Sequence, residues 1–226
     1  MKKILIVAAH PDDEILGCGG FISKYSSEHK IKIIFIAEGS SCRHEDWTSE
    51  MAKAEIEIRN KSALKALKFL GVEDVTFFNF ICGRLDQKPI IEINKVIEET
   101  INDFLPDIVL THNNSDVNND HQITYRSVLM ATRPTSKHLI RKLLTFEVLS
   151  SSEWAYTENF EPNIFESLTE KEVASKWKAL EHYYTETSEF PFPRSMEGIY
   201  TLAKYRGMQS NANYAEAFRL IREFKK

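Results

Sequence analysis

Three side chains that can bind a metal ion or move a proton lie close together near the start of the chain. His10, Asp12 and Asp13 follow directly on an apolar run, residues 4–9, which predicts a buried strand. Histidine is the commonest metal ligand, and one carboxylate can complete the coordination. The other carboxylate, held close by the same turn, can take a proton from an attacking water. The segment therefore predicts a metal site with its own general base.

The two aspartates also fit a structural role. Aspartate is a favoured N-cap residue, and acidic side chains suit the positive end of a helix. Asp12 or Asp13 could therefore cap a helix that begins near Glu14. These few residues do not separate the two interpretations.

A second polar segment favours the metal site. Residues 107–111 form another buried-strand pattern, and the loop from His112 to His121 is dense in potential ligands. The carboxyl ends of parallel strands meet at one edge of an open sheet, so the two segments can face each other there. His121 is then the natural third ligand, and Asp116 or Asp120 can orient an imidazole from behind.

The elements that position these residues follow from the spacing of apolar residues. Strand patterns cover residues 4–9, 31–37, 75–80, 107–111 and 143–149. Helical patterns cover residues 50–70, 90–104, 169–184 and 195–206. Alternation of strands and helices predicts right-handed crossovers and parallel pairing. We therefore predict an α/β fold, a Rossmann-like three-layer sandwich with a mainly parallel central sheet.

Glycines directly follow the first motif, at Gly17, Gly19 and Gly20. Glycine-rich turns between a strand and a helix can cradle phosphates. Here the carboxylates of Asp12 and Asp13 come just before the glycines and would repel a diphosphate. Close packing of the helix on the sheet explains the glycines better.

Length and composition predict one domain. The chain has 226 residues, of which 42% are hydrophobic and 27% are charged, so it can bury one good core. We predict a single domain over residues 1–226. Its aromatic-rich part, from about residue 151, is expected to cover the active site, to form a subunit contact, or simply to pack on the core.

Charge, hydropathy and cysteine content exclude several classes of protein. A net charge of −4 without a cluster of Lys and Arg argues against a nucleic-acid partner. No stretch is apolar over the length needed to cross a bilayer, and the first apolar run is interrupted at once by polar residues, so we expect a cytoplasmic protein. Cys18, Cys42 and Cys82 lack the count of a disulfide framework and the spacing of a structural zinc site, which predicts free thiols.

The two motifs resemble those of a known family. Residues 9–14, Ala-His-Pro-Asp-Asp-Glu, and residues 118–121, Asn-Asn-Asp-His, are similar to the metal motifs of the PIG-L and LmbE-like zinc-dependent N-acetylglucosaminyl deacetylases. The likeness extends over nearly the whole chain. The resemblance implies that His10, Asp13 and His121 bind one zinc ion per chain, or another divalent metal, and that Asp12 is the general base.

The chain departs from the pattern of that family at three positions. The family often has histidine where this chain has Asn118, at a position linked to the oxyanion or to protonation of the leaving amine. It often has aspartate in place of Cys82, at a position linked to sugar hydroxyls, and close relatives tend to have histidine in place of Phe192. Asn118 can still donate a hydrogen bond to an oxyanion, but it cannot deliver a proton.

Sugar recognition requires side chains that bind hydroxyls, phosphates or ring faces. A guanidinium can form a bidentate hydrogen bond to vicinal hydroxyls or to a phosphate, and an aromatic ring can stack on a sugar. Arg59 follows Glu55 at helical spacing, which predicts a salt bridge on the helix instead. The candidates for substrate binding are Arg43, Arg84, Arg194 and Trp47.

The resemblance implies a zinc-dependent hydrolase that removes the acetyl group from an N-acetylated amino sugar. Its substrate would be a small molecule, carried on a nucleotide or a lipid, in a pathway of the bacterial surface-polysaccharide type. Two alternatives stay open: a zinc hydrolase for another N-acyl group such as N-formyl, and a catalytically silent protein that binds a sugar or a metal. A homo-oligomer is also left open.

Overall fold

A single sheet runs through the centre of the molecule. The structure is a computed structural model that describes residues 1–225, and in this range seven strands pair in the order β3-β2-β1-β4-β5-β7-β6. The strands from β1 to β5 pair in parallel, whereas β7 is antiparallel to both β5 and β6. The strands are β1 (Lys3–Ala8), β2 (Lys30–Ala37), β3 (Asp74–Phe80), β4 (Ile108–His112), β5 (Lys142–Phe146), β6 (Ile164–Leu168) and β7 (Tyr214–Glu223).

Helices cover both faces of this sheet. The helices are α1 (Asp13–Tyr25), α2 (Glu50–Phe69), α3 (Ile90–Phe104), α4 (Asn119–Ala131), α5 (Glu170–Leu180) and α6 (Met196–Ser210). One core lies between the sheet and α1, α2, α5 and α6, and a second core lies between the sheet and α3 and α4. In β1, Ile4 and Ile6 belong to the first core and Leu5 and Val7 to the second. The alternation of side chains along the strand therefore explains why β1 is apolar throughout.

The prediction of an α/β sandwich with a mainly parallel sheet is confirmed. The predicted helix over residues 90–104 matches α3, and the other predicted elements of the first 146 residues differ from the observed bounds by a few residues. The glycine interpretation is also confirmed, because a Cβ at Gly17 would collide with Phe146 and one at Gly20 with Leu168. These glycines let α1 approach the sheet closely.

Strands β6 and β7 were missed by the sequence patterns. A charged residue, Glu216, lies near the start of β7 and is buried, which disguises the strand. Its carboxylate accepts hydrogen bonds from the backbone N–H groups of Gly20 and Phe21 and from the ammonium of Lys176, at 2.6 to 2.8 Å. The buried charge is therefore fully paired and ties β7 to α1 and α5.

The fold brings the two polar segments to one edge of the sheet. β1 and β4 are parallel neighbours, and residues 9–13 and 113–121 follow their carboxyl ends. This is the edge at which open α/β sheets bind their ligands. Among residues 1–225, no helix has both the length and the apolar character that a bilayer span requires.

Candidate metal centre

The three predicted metal ligands converge at the ends of β1 and β4. Asp13 Oδ2 lies 3.4 Å from His10 Nδ1 and 3.3 Å from His121 Nε2. One ligand atom from each of the three residues lies within 4.8 Å of the other two, and all three residues are buried. His10 and Asp13 come from the turn between β1 and α1, whereas His121 lies in the first turn of α4. Two imidazoles and one carboxylate can hold a divalent metal ion here.

Each imidazole also contacts a carboxylate at the ring nitrogen that faces away from Asp13. Asp120 Oδ2 lies 2.9 Å from His10 Nε2, and Asp116 Oδ2 lies 3.2 Å from His121 Nδ1. Asp120 is itself fixed by the backbone N–H of Gly83 at 2.7 Å. Each of the two aspartates thus leaves the opposite ring nitrogen free to face the centre, an arrangement typical of histidines that bind metals.

The charges of the cluster suit a cation. Burial alone would lower the pKa of His121, but the carboxylates of Asp13 and Asp116 outweigh it and raise this pKa to about 10. Burial also opposes ionisation of Asp13, yet the surrounding imidazoles, first among them His121, hold its pKa well below the usual range. The pKa of Asp116 falls to about 2 because the hydrogen bond and charge of His121 outweigh its burial. Ionised carboxylates therefore surround the position at which the ligand atoms meet.

His112 is a third histidine of the cluster, and it was not assigned a role from the sequence. Burial and the neighbouring His121 lower the pKa of His112 to about 3, so its ring is neutral. Its Nε2 accepts a hydrogen bond from the backbone N–H of Ala9 at 2.8 Å, which assigns the proton to Nδ1. The rings of His112 and His121 stack with centroids 3.9 Å apart. His112 therefore supports the ring of His121 and ties it to the end of β1.

Asp12 lies beside this cluster with one oxygen held and the other free. Oδ2 accepts hydrogen bonds from Arg194 at 2.6 Å and pairs with Arg59 at 3.0 Å. Oδ1 is buried and has no hydrogen-bond partner among residues 1–225. The backbone of Asp12 has a φ of 115°, a strained value for a residue with a side chain. Burial raises the pKa of Asp12, and the charges of Arg59 and Arg194 act against that rise.

The interpretation of the aspartates as helix caps is wrong. Asp12 occupies the N-cap position of α1, but its side chain makes no capping hydrogen bond. Asp13 instead accepts a hydrogen bond from the backbone N–H of His10 at 2.8 Å, back toward the strand end. Both carboxylates are therefore directed to the cluster.

Comparison with known proteins agrees with this geometry. Residues 5–132 match the family model of PIG-L, described as GlcNAc-PI de-N-acetylase. The chain belongs to the PIG-L family. It is 30% identical over 190 residues to the uncharacterized deacetylase YaiS of Escherichia coli K12, covering 80% of this chain and 90% of YaiS. As a member of this family the chain is an N-deacetylase.

Solved structures with the same fold include two deacetylases. The N,N'-diacetylchitobiose deacetylase of Pyrococcus horikoshii superposes with a TM-score of 0.79 and 20% identity, covering 97% of this chain and 84% of the archaeal enzyme. The zinc-inhibited form of the teicoplanin deacetylase Orf2 superposes with a TM-score of 0.76 and 15% identity, covering 99% of each chain. At these identities the likeness concerns the fold.

Residues beyond the matched PIG-L region complete the surroundings of Asp12. Arg194 and Glu186 both come from the part of the chain after residue 151. Arg194 lies between Asp12 and Glu186, with its Nη1 3.2 Å from a carboxylate oxygen of Glu186. Glu186 is buried, and hydrogen bonds and charge from the neighbouring arginines, first among them Arg43, lower its pKa despite that burial. The C-terminal part therefore reaches the catalytic edge of the PIG-L fold.

The prediction that Arg59 forms a salt bridge on the helix surface is wrong. Its side chain is only 5% exposed and reaches Asp12, Glu186 and the backbone carbonyl of Pro11. Glu55, the expected partner, lies 3.0 Å from His44 instead. Helical spacing alone could not indicate this, because Arg59 points toward the sheet edge and its partners are distant in sequence.

The four candidates for substrate binding form two pairs. Arg43 and Arg194 both contact Glu186, and the Arg43 side chain, which is 45% exposed, forms two hydrogen bonds to it at 2.7 and 2.9 Å. Arg84 lies over the ring of Trp47, 5.7 Å from its centroid, and Trp47 is 38% exposed. Phe192, one of the departures from the family pattern, is also partly exposed, two residues before Arg194.

Asn118, another departure, is the N-cap of α4. Its Oδ1 accepts a hydrogen bond from the backbone N–H of Asp120 at 2.9 Å. The side-chain amide group remains available to donate, since the capping bond uses only the oxygen. Two residues of the site were not assigned a role from the sequence, His112 and Glu186, because a buried histidine and an isolated glutamate occur in many structural settings.

Proposed function

We propose that this chain is a zinc-dependent enzyme that removes the acetyl group from an N-acetylated amino sugar. The observation that carries the proposal is the convergence of His10, Asp13 and His121 next to Asp12, whose Oδ1 is buried and free of hydrogen-bond partners among the described residues. A protein that only bound a metal would not need this additional carboxylate. The arrangement therefore supports hydrolysis over silent binding.

Asp12 is the general base of the proposed reaction. Arg59 and Arg194 hold its Oδ2, so Oδ1 can accept the proton of the attacking water. His10, Asp13 and His121 would hold a divalent ion, which would supply an electrophile for the amide carbonyl and would acidify the attacking water. Once protonated, Asp12 can return the proton to the leaving amine. Asn118 can donate a hydrogen bond to the oxyanion without taking part in proton transfer.

Zinc is the metal that fits this set of ligands best. Two histidine nitrogens and one carboxylate oxygen, with open positions left, are typical of catalytic zinc sites. The hydrogen bonds from His10 to Asp120 and from His121 to Asp116 add the carboxylate-histidine pairs that accompany such sites. The zinc-inhibited form of the related teicoplanin deacetylase also supports zinc as an ion that this fold accepts. We propose one zinc ion per chain.

An amino sugar is the substrate class that the surroundings favour. The exposed ring of Trp47 with Arg84 beside it offers a face for a sugar ring, and the exposed guanidinium of Arg43 can bind a hydroxyl or a phosphate of the carrier. The diacetylchitobiose deacetylase with the same fold acts on such a sugar. We propose a small amino sugar carried on a nucleotide or a lipid, as used in surface-polysaccharide assembly.

We also propose that the part of the chain from about residue 151 covers the active site and belongs to the same domain. Ser151 and Ser152 donate hydrogen bonds to Asp116, and Arg194 reaches Asp12. These contacts join the C-terminal part to Asp116, which holds His121, and to the proposed general base.

Release of the acyl group tests the proposed function. Zinc-loaded protein is incubated with free, nucleotide-linked and lipid-linked N-acetyl and N-formyl amino sugars, and acetate and formate are measured. We expect acetate from at least one N-acetyl amino sugar, and acetate release that is about 100- to 10,000-fold slower from the Asp12→Asn protein. Formate alone would support the alternative of another N-acyl hydrolase. Tight zinc binding without release of any acyl group would support the silent binding protein.

Exchange of Asn118 separates its two roles. Asn118→Asp keeps an oxygen that accepts the N–H of Asp120 but removes the amide donor, whereas Asn118→Ala removes both. We expect Asn118→Asp to lower kcat by about 100-fold with a modest change in KM, since the lost bond is made mainly in the transition state. Asn118→Ala should in addition lower the free energy of unfolding by about 1 kcal/mol through loss of the cap.

The exposed neighbour Asn119 provides the matched control. Asn119→Ala should retain the parent kcat and stability. If Asn118→Asp is as active as the parent protein, the amide does not bind the oxyanion, and Asn118 is only a helix cap.

A further inference from the structure

Two of the three cysteines face each other beside the metal centre. All three are free thiols, as predicted. Cys42 lies in the short turn of helix after β2, and Cys82 follows β3, with their sulfur atoms 2.9 Å apart. Cys18 is buried within α1 and belongs to the hydrophobic core. The pair is therefore a local feature of the two loops and does not involve the third thiol.

A buried carboxylate fixes the backbone on both sides of the pair. Glu38 Oε1 accepts a hydrogen bond from the N–H of Cys82 at 2.8 Å, and Oε2 accepts from the N–H groups of Ser40 and Ser41 at 2.7 and 3.0 Å. The loops also touch at the next residue, since a Cβ at Gly83 would lie 3.2 Å from the Cβ of Cys42. The approach of the two sulfurs is therefore set by the backbone and not by one flexible side chain.

The two thiols differ in their access to solvent. Cys42 is exposed, whereas Cys82 is only 6% exposed. The hydrogen bond from Cys82 lowers the pKa of Cys42 to about 6, which favours its thiolate at neutral pH. An exposed thiolate next to a protected thiol is the arrangement of an attacking and a resolving cysteine.

We propose that Cys42 and Cys82 are a modification site, at which a hydroperoxide forms a reversible disulfide between the loops that follow β2 and β3. The geometry requires little movement: the sulfur atoms must approach by about 0.9 Å from 2.9 Å to reach a bond length of about 2.05 Å. Glu38 holds both loops through hydrogen bonds to their backbone, so the bond forms within the folded protein.

Hydrogen peroxide is the two-electron oxidant that disulfide formation requires. The Cys42 sulfur attacks one oxygen of hydrogen peroxide, the O–O bond breaks, and the leaving hydroxide takes a proton to become water, which gives a sulfenic acid at Cys42. The Cys82 sulfur then attacks the Cys42 sulfur, and the S–O bond breaks. The hydroxide leaves with the proton of Cys82 as a second water. Two thiols are oxidised and one peroxide is reduced.

The disulfide acts on both sides of the catalytic centre. Arg43, next to Cys42, binds Glu186, which contacts the two arginines that hold Asp12. Gly83, next to Cys82, donates its N–H to Asp120, which orients His10. Movement of the loop that contains Cys42 would therefore displace the proposed general base, Asp12. Movement of the loop that contains Cys82 would displace a proposed metal ligand, His10. This consequence for the rate depends on the proposed deacetylase function, whereas the formation of the disulfide does not.

Oxidation of the zinc-loaded protein by a small excess of hydrogen peroxide tests the proposal. We expect intact-protein mass spectrometry to show the loss of two hydrogen atoms, and peptide mapping to join Cys42 to Cys82. A dithiol reductant should restore the original mass. With an amino-sugar substrate, oxidation should lower the rate of turnover by at least about tenfold. Displacements of about 1 Å near the reacting groups can lower a rate by roughly 100-fold.

Variants of the three cysteines provide the controls. Cys18→Ser should still form the disulfide, while Cys42→Ser and Cys82→Ser should not, and the rate of each of these two should be the same before and after mild oxidation. Oxidation that joins other cysteines, or stops at one oxidised thiol, would overturn the proposal. So would two zinc ions per chain that fall to one in Cys82→Ser, because Cys82 would then bind a metal together with His10 and Asp120, whose ligand atoms lie within 4.8 Å of its sulfur. A disulfide that leaves the rate unchanged would refute the effect on catalysis alone.

Discussion

Replacement of Asp12 by asparagine should remove most of the deacetylase activity and leave the metal in place. The amide is nearly the same size as the carboxylate, but it cannot accept the proton of the attacking water at the position of Oδ1. General-base catalysis contributes roughly 100- to 10,000-fold, so we expect kcat to fall by about that factor. Activity is measured by acetate release, and zinc content by atomic absorption on the same samples.

Glu14 offers a matched control in the same turn of α1. It is a buried carboxyl like Asp12, and burial raises its pKa to about 8 even though Tyr183 donates a hydrogen bond to it. The side chain is therefore mostly uncharged at neutral pH. Glu14→Gln replaces one neutral group by another, and its carbonyl can still accept the N–H of Asp12. We expect this variant to keep the parent kcat within a few-fold.

The metal content decides what a loss of activity at Asp12 means. If Asp12→Asn loses its zinc, Asp12 is a ligand and the proposed division of roles between Asp12 and Asp13 is wrong. If Asp12→Asn keeps both its zinc and its activity, the base is another residue. A fall in activity of the same size in Glu14→Gln would point to a general disturbance of the turn.

The sequence was most informative where side chains that can bind a metal follow the end of a predicted strand. His10, Asp13 and His121 could be predicted to meet because each follows an apolar run, and parallel strands bring their carboxyl ends to one edge. Asp116 and Asp120 could be proposed behind the imidazoles for the same reason. Residue type and position relative to the strands were sufficient, since the sheet supplies the remaining geometry.

The partners of Asp12 could not be predicted in this way. Arg59 has a glutamate at helical spacing, so a local pairing was the natural expectation, yet the arginine is buried against Asp12 and Glu186. Glu186 lies in a segment without a clear period, and nothing in its neighbourhood indicates that it is buried. Such long-range ion pairs depend on how the C-terminal part folds back, which a local pattern does not encode.

The missed strand β7 has a related cause. Local patterns treat a charged residue as exposed, but Glu216 is buried because Lys176 and two backbone N–H groups of α1 compensate its charge. The pairing that makes the charge tolerable comes from two other helices. Elements whose stability depends on such distant compensation are those that sequence periodicity fails to identify.

Replacement of His121 by alanine should abolish zinc binding at the centre and, with it, the activity. His121 supplies one of three ligand atoms, and its ring is fixed by Asp116 and by stacking on His112. Loss of a group that hydrogen-bonds to a metal ligand weakens metal binding by roughly 10- to 100-fold. We expect loss of the ligand itself to weaken zinc binding by more than this. Competition with a chromophoric chelator measures the affinity without reference to any substrate.

The pH dependence of binding gives an independent check on His121. In the metal-free protein the pKa of His121 is about 10, so its ring is protonated at pH 7 to 8 and must lose that proton when it binds a metal. Zinc binding should therefore release about one proton from His121, and the apparent affinity should rise with pH. Calorimetric titrations in two buffers of different ionisation enthalpy measure the number of protons released.

Two variants complete this experiment. Asp116→Asn keeps the imidazole but removes one of the carboxylates that raise its pKa, so we expect about 10- to 100-fold weaker zinc binding and a smaller proton release near pH 8. His29→Ala, at a histidine stacked on Tyr25 away from the site, should bind zinc as the parent does. Full zinc affinity in His121→Ala would exclude His121 as a ligand. Unchanged proton release in that variant would also exclude it, because the metal would then displace a proton from another group.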